Sequence, residues 1–235
     1  MRRALVVSCA LAVVLGLLAA CGSDEPAKPI RTVEPQRTAS SPSADPEAAR
    51  NSDGCKLLTA KDRRSIAGVA LNTVFPMPQI DGVLLCRWVK TLTTPKTISI
   101  KVVSQPAPVW AQRAVPKQIN RLLAARETND KITERLLAAK KKISGGATEV
   151  SGAEACRMFS LLIEANNKKK KGLNQDLLFQ GTPRGNFTVA WQKCGKGVHT
   201  ELVYEEPELQ PSLAVSQAVI RLGKVAHRRA IEKLQ

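Results

Sequence analysis

The chain has 235 residues, with 36 Lys and Arg against 20 Asp and Glu, a formal charge of +16. Aromatic residues make up 3% of it, so any core must be built mainly from Leu, Ile, Val and Ala. The scarcity also excludes a platform of stacking aromatics for single-stranded nucleic acid.

The chain opens with Arg2 and Arg3 and then runs apolar from Ala4 to Ala20, interrupted by Ser8 and Gly16. A cationic start, an apolar run and small residues before a processing point mark a secretory signal peptide over residues 1–20. A permanent span is disfavoured, because the run is at the lower limit of spanning length and no cationic stop-transfer cluster follows. Leu18, Ala19, Ala20 and Cys21, followed by Gly22 and Ser23, resemble the lipobox of bacterial lipoproteins. The resemblance implies a diacylglyceryl group on the Cys21 thiol, cleavage before it, and acylation (palmitate) of the new amino group. The expected location is the extracytoplasmic face of the cell membrane. Each buried CH2 contributes about 0.8 kcal/mol, so two or more acyl chains anchor a domain durably.

Residues 21–53 are rich in Pro, Ser, Ala and charge and nearly free of large apolar side chains. Such a segment cannot bury enough surface to offset ordering, which predicts a disordered tether reaching roughly 30 Å from the bilayer.

Six cysteines divide by position. Cys9 lies in the leader and Cys21 is the lipidation residue. Cys55, Cys86, Cys156 and Cys194 remain, an even number for an oxidising compartment. Three pairings are open, and Cys55–Cys86 with Cys156–Cys194 is favoured because each bridge then closes within one of two similarly ordered segments. There is no CxxC pair, and His199 and His227 are far apart, so neither a metal centre nor another cofactor is expected.

The region 54–128 begins with a short helix. Thr59 with Asp62 reads as a capping box and Gly68 as its stop. A Pro-containing loop leads to the strand "VLLCRWVK", then to "TISIKVVS" with Ile98, Ile100 and Val102 on one face. A helix follows in "PAPVWAQRAVPKQINRLLAAR", starting or restarting near Pro116. Residues 129–150 predict a basic helical connector with Ile132, Leu136 and Ile143 at helical spacing. The region 151–235 repeats the order: a helix capped by Ser151 and Glu154, the strand "NFTVAWQK", a turn at Gly195-Lys196-Gly197 into "VHTELVY", and a final helix. That helix places Val215, Val219, Leu222 and Ala226 on one stripe. The expected class is α+β, antiparallel strands with packed helices and two disulfides, the repeated order suggesting two related helix-strand-strand-helix halves.

The stretch "CKLLTAKD", the Gly-ended helix and the later "CRW" resemble a family of actinobacterial lipoproteins carrying a domain of unknown function. The resemblance spans Gly54 to Ser104 and implies a lipid-anchored α+β domain without an established activity. The second half departs from it, placing Trp191 before its cysteine in "WQKCGKG".

Positive charge gathers at Lys140, Lys141 and Lys142, at Lys168, Lys169, Lys170 and Lys171, and along the last helix, including Lys224, Arg228 and Arg229. Such surfaces attract acidic lipid headgroups or anionic wall polymers, although lysine runs are more commonly solvated faces. No Gly-rich phosphate loop, Gly-x-Ser-x-Gly or ligand cluster is present. Glu201, Glu205, Glu206 and Glu208 form the one acidic cluster and read as a solvated corner, His199 as a packing residue, and Trp88, Trp110 and Trp191 as core. The expectation is therefore a non-enzymatic, membrane-anchored binding or sensing protein with no nucleic acid partner. A small extracytoplasmic hydrolase, its residues converging only in space, is the alternative.

Overall fold

Three strands from each half of the chain join in a single antiparallel sheet. The structure, a computed structural model, describes residues 52–235 apart from 76, 78–79, 81, 94–95, 126–127, 146–149, 168–171, 182–186 and 208. Strands β1 (Thr73–Phe75), β2 (Leu84–Thr93) and β3 (Lys96–Pro106) come from the first half. Strands β4 (Gln175–Gly181), β5 (Phe187–Gly195) and β6 (Val198–Glu206) come from the second. Their order is β1-β2-β3-β6-β5-β4, so the halves meet at the centre through β3 and β6, from Ser99 opposite Glu205 to Pro106 opposite Val198.

Side chains alternate across a strand, and here both faces are covered. One face carries Trp88, Ile98, Ile100, Val102, Trp191, Leu202 and Tyr204. It is covered by a 3-10 turn (Asp53–Leu57), by α1 (Ala60–Ala67) and by α5 (Leu213–Leu234). The other face lies under α2 (Ala107–Ala125) and α4 (Gly152–Asn167), while α3 (Asp130–Ser144) packs against those two helices.

Local chemistry accounts for the helix ends. Thr59 and Asp62 form the expected capping box, and Gly68, at φ 66°, ends α1 in the left-handed region. Inside α1, Arg63 is buried but satisfied: Nε donates to the Leu71 carbonyl at 3.1 Å and Nη1 to that of Leu58 at 2.7 Å. Its guanidinium also sits over the Trp88 ring. Ser212 caps α5, whose stripe Val219, Leu222, Ala226 and Ala230 is buried.

The expectation of a helix beginning or restarting at Pro116 is corrected: α2 starts at Ala107 and runs through the proline unbroken. A mid-helix proline removes one backbone hydrogen bond. The buried stripe of Trp110, Ala111, Val115, Ile119 and Leu122 outweighs that loss. The expected connector is likewise part of the fold. Asn129 caps α3, Leu136 is fully buried, and Arg135 reaches Glu164 of α4 through two hydrogen bonds of 2.9 and 3.1 Å.

The two disulfides are Cys55–Cys86 and Cys156–Cys194, with Cα separations of 5.0 and 5.2 Å. They lie on opposite faces. Cys86 and Trp88 are two apart on β2 and share a face, whereas Trp191 and Cys194 are three apart on β5 and do not. In the first half, the segment before the strands covers one face and the helix after them covers the other. In the second half these faces are exchanged. With β3 and β6 as antiparallel neighbours, that exchange reverses hand, so no rotation superposes the halves. Their repeated order of elements is not a spatial repeat.

The close seat of α5 on the sheet depends on Gly223, where an added Cβ would lie 2.2 Å from the Trp191 ring. Replacing glycine by alanine in a helix gains about 1 kcal/mol of propensity. Overpacking a buried indole costs about 1–3 kcal/mol. Gly223→Ala is expected to lower stability on balance, read as a reduced urea midpoint.

Candidate functional site

Strands β5 and β6 are joined by a two-residue turn, with Gly195 paired to Val198. Lys196 and Gly197 both adopt positive φ, 47° and 71°. That combination matches the twist of the hairpin. Beside the turn, on the α5 face, lies a cleft of about 450 Å³ lined by Asn174, Lys193, Lys196, Lys224, His227, Arg228 and Glu232. Each cation arrives by register. Lys193 is opposite Thr200, which places it on the α5 side of the sheet. Lys224 and Arg228 are four apart and share one helix side.

His227 forms the inner wall of the cleft and is 4% exposed. Its Nδ1 lies 2.9 Å from the Thr200 hydroxyl, which accepts from the Ser104 hydroxyl at 3.0 Å. With Ser104 donating to Thr200, the Thr200 hydroxyl keeps its own proton to donate to Nδ1, and in that tautomer Nε2 carries the ring proton. Nε2 faces Gly195, where a Cβ would come within 3.4 Å of it. Burial, and then the Lys193 charge, push the His227 pKa down to about 4. Near neutral pH the ring is therefore an uncharged N–H donor set among four cationic side chains. An anionic oxygen can accept from Nε2–H while the ammonium and guanidinium groups balance its charge.

The charged residues expected from sequence are dispersed. Arg228 lines the cleft. Its neighbour Arg229 is consumed structurally: Nη1 donates to the Leu57 carbonyl at 2.9 Å and to Asp62 at 2.7 Å, tying α5 to the 3-10 turn and α1. It is not available to an anion. Lys140, Lys141 and Lys142 lie on α3, across the sheet from the cleft, and Lys142 pairs with Glu154. Lys168, Lys169, Lys170, Lys171 and Cys21 fall outside the described residues. Lys193, Lys196 and His227 were not singled out as ligands from sequence, although the two-residue turn and the β5 alternation were legible signals for both lysines.

His199 is buried against α2 and α4, stacked on Trp110 at 4.4 Å and edge-on to Phe159. Neither ring nitrogen has a hydrogen-bond partner, and burial, with a smaller contribution from His227, pushes its pKa down to about 3. The glutamates part company. Glu205 lies 3.7 Å from Arg87, Glu206 accepts from the Tyr204 hydroxyl at 2.6 Å, and Glu201 faces the α2–α4 side. Glu208 is outside the described residues. Among the described residues, no nucleophile meets His199 or these carboxylates in a cavity, and no group of three His, Cys, Asp or Glu is placed to hold a metal ion. Nor is any described helix long and apolar enough to cross a membrane. The chain matches no family model, no curated protein and no solved structure.

Proposed function

We propose that the chain is an exported protein, lipid-anchored through Cys21 at the extracytoplasmic face of the membrane, which binds phosphate-bearing polyanions without transforming them. The observation that carries this reading is the cleft itself, where Lys193, Lys196, Lys224 and Arg228 surround a neutral His227 donor. The leader motif ending in Cys21 supports the anchor, and two disulfides suit an oxidising compartment. The ligand chemistry is a phosphodiester or phosphomonoester, carried by an anionic headgroup or by a wall polymer.

The test uses the mature chain with Cys21→Ser, so that binding is read without the lipid. Co-sedimentation with phosphatidylglycerol vesicles and titration with a glycerol-phosphate polymer separate the two sources. Binding to at least one is expected to weaken as salt rises. It should also weaken roughly tenfold in Lys224→Ala/Arg228→Ala, at about 0.5–1 kcal/mol per exposed charge. Lys140→Ala/Lys141→Ala should bind like the parent. Equal binding by the cleft variant, or insensitivity to salt, contradicts the proposal. Labelled palmitate entering the full chain but not its Cys21→Ser form checks the anchor.

A further inference from the structure

On the opposite face of the sheet, α2 and α4 do not close over β4, β5 and β6, and a cavity of about 230 Å³ remains. Its floor is a transverse row. Asp176 pairs in register with Gln192, and Gln192 with Glu201, so three polar side chains lie side by side on three strands. The next row, Leu178, Ala190 and Val203, is apolar, as a covered face requires. Polar groups set beneath helices demand partners. Gln192 Nε2 donates to Glu201 Oε1 at 3.2 Å, and Asp176 has an interaction of its own. No cation among the described residues pairs with Glu201. Arg121 of α2 lies at the exposed rim and Phe159 of α4 gives an apolar wall.

We infer that this cavity is a second binding site, for a free amino acid. A strongly basic chain has here a half-buried carboxylate with no counter-charge among the described residues, which fits an ammonium group. Arg121 at the rim fits a carboxylate, as a planar donor fork does. Phe159 takes the apolar side chain. The volume is below the usual range for drug-sized ligands and restricts the occupant to roughly ten heavy atoms. The site is separate from the basic cleft, and the inference does not rest on phosphate binding.

The test is calorimetric titration of the mature Cys21→Ser chain with leucine of either hand, N-acetylleucine, leucinamide and isopentylamine. At least one leucine enantiomer is expected to bind, and N-acetylation, which removes the ammonium charge, to weaken it about tenfold or more. Leucinamide and isopentylamine, lacking the carboxylate, should each bind more weakly than leucine, and Arg121→Ala should erase those differences. Glu201→Gln, nearly isosteric, should lose leucine binding at least tenfold with its urea midpoint retained. Lys224→Ala/Arg228→Ala should bind leucine like the parent. The inference is overturned if neither enantiomer binds at concentrations on the order of 10 mM, or if N-acetylleucine or isopentylamine equals leucine. Unchanged binding in Glu201→Gln overturns it as well.

Discussion

Acidifying the folded protein from pH 8 to pH 5 is expected to cost about 4 kcal/mol through two histidines alone. His199 and His227 are each 4% exposed, with pKa values held down to about 3 and about 4 against an ordinary value of 6.5. Burial is the main cause in both. The sign follows from which state takes up protons. Below pH 6.5 the unfolded chain charges both imidazoles while the folded chain keeps them neutral, so unfolding absorbs protons and stability falls with pH. At pH 5 each ring contributes about 2 kcal/mol of loss, a figure set by the unfolded value because both folded values lie lower. The loss continues down to about pH 4 for His227 and about pH 3 for His199, where each folded ring begins to charge. His199→Phe isolates one of them. Phenylalanine keeps a flat ring on Trp110 and removes two nitrogens that have no hydrogen-bond partner. Urea unfolding of the variant should show about 2 kcal/mol less destabilisation between pH 8 and pH 5. A variant with the parent's pH slope would show that His199 does not stay neutral in the fold.

Much of this architecture was legible because it rests on local chemistry. The Thr59–Asp62 box, the Gly68 stop, the Lys196-Gly197 turn and the stripe of α5 each follow from a few adjacent residues. The edge strands β1 and β4 were missed, since one has three residues beside prolines and the other follows a lysine run that reads as loop. Their identity depends on pairing with β2 and β5, which is not a local property. Cysteine and tryptophan are two apart in "CRW" and three apart in "WQKC", and with Trp88 and Trp191 on one face of the sheet that difference sets the two bridges on opposite faces. The cleft required the third dimension. Arg228 and Arg229 are adjacent in sequence, but about 100° apart around the helix, so one lines the cleft and the other is consumed by Asp62.

Removing either disulfide, as Cys55→Ala/Cys86→Ala or Cys156→Ala/Cys194→Ala, is expected to lower unfolding free energy by about 4 kcal/mol. The bridges close spans of 31 and 38 residues. The entropy of closing such loops in the unfolded chain gives nearly equal values for both. Against a total stability on the order of 5–15 kcal/mol for a domain, loss of both would leave little or none. Their local consequences should differ because they secure different faces. Cys55–Cys86 fixes the 3-10 turn to β2, and Arg229 then ties that turn to α5, the helix that carries Lys224 and Arg228. Cys156–Cys194 fixes α4, whose Phe159 walls the polar cavity, to β5. Under conditions where both variants remain folded, phosphate binding should suffer more from the first and amino-acid binding more from the second. Urea midpoints of the two variants, beside the parent with and without reductant, measure the global term. A loss under about 1 kcal/mol for either would mean that the reduced, unfolded chain is already constrained. Equal effects of both variants on both ligands would mean that the sheet couples its two faces as one rigid body, rather than each bridge serving the helix it holds.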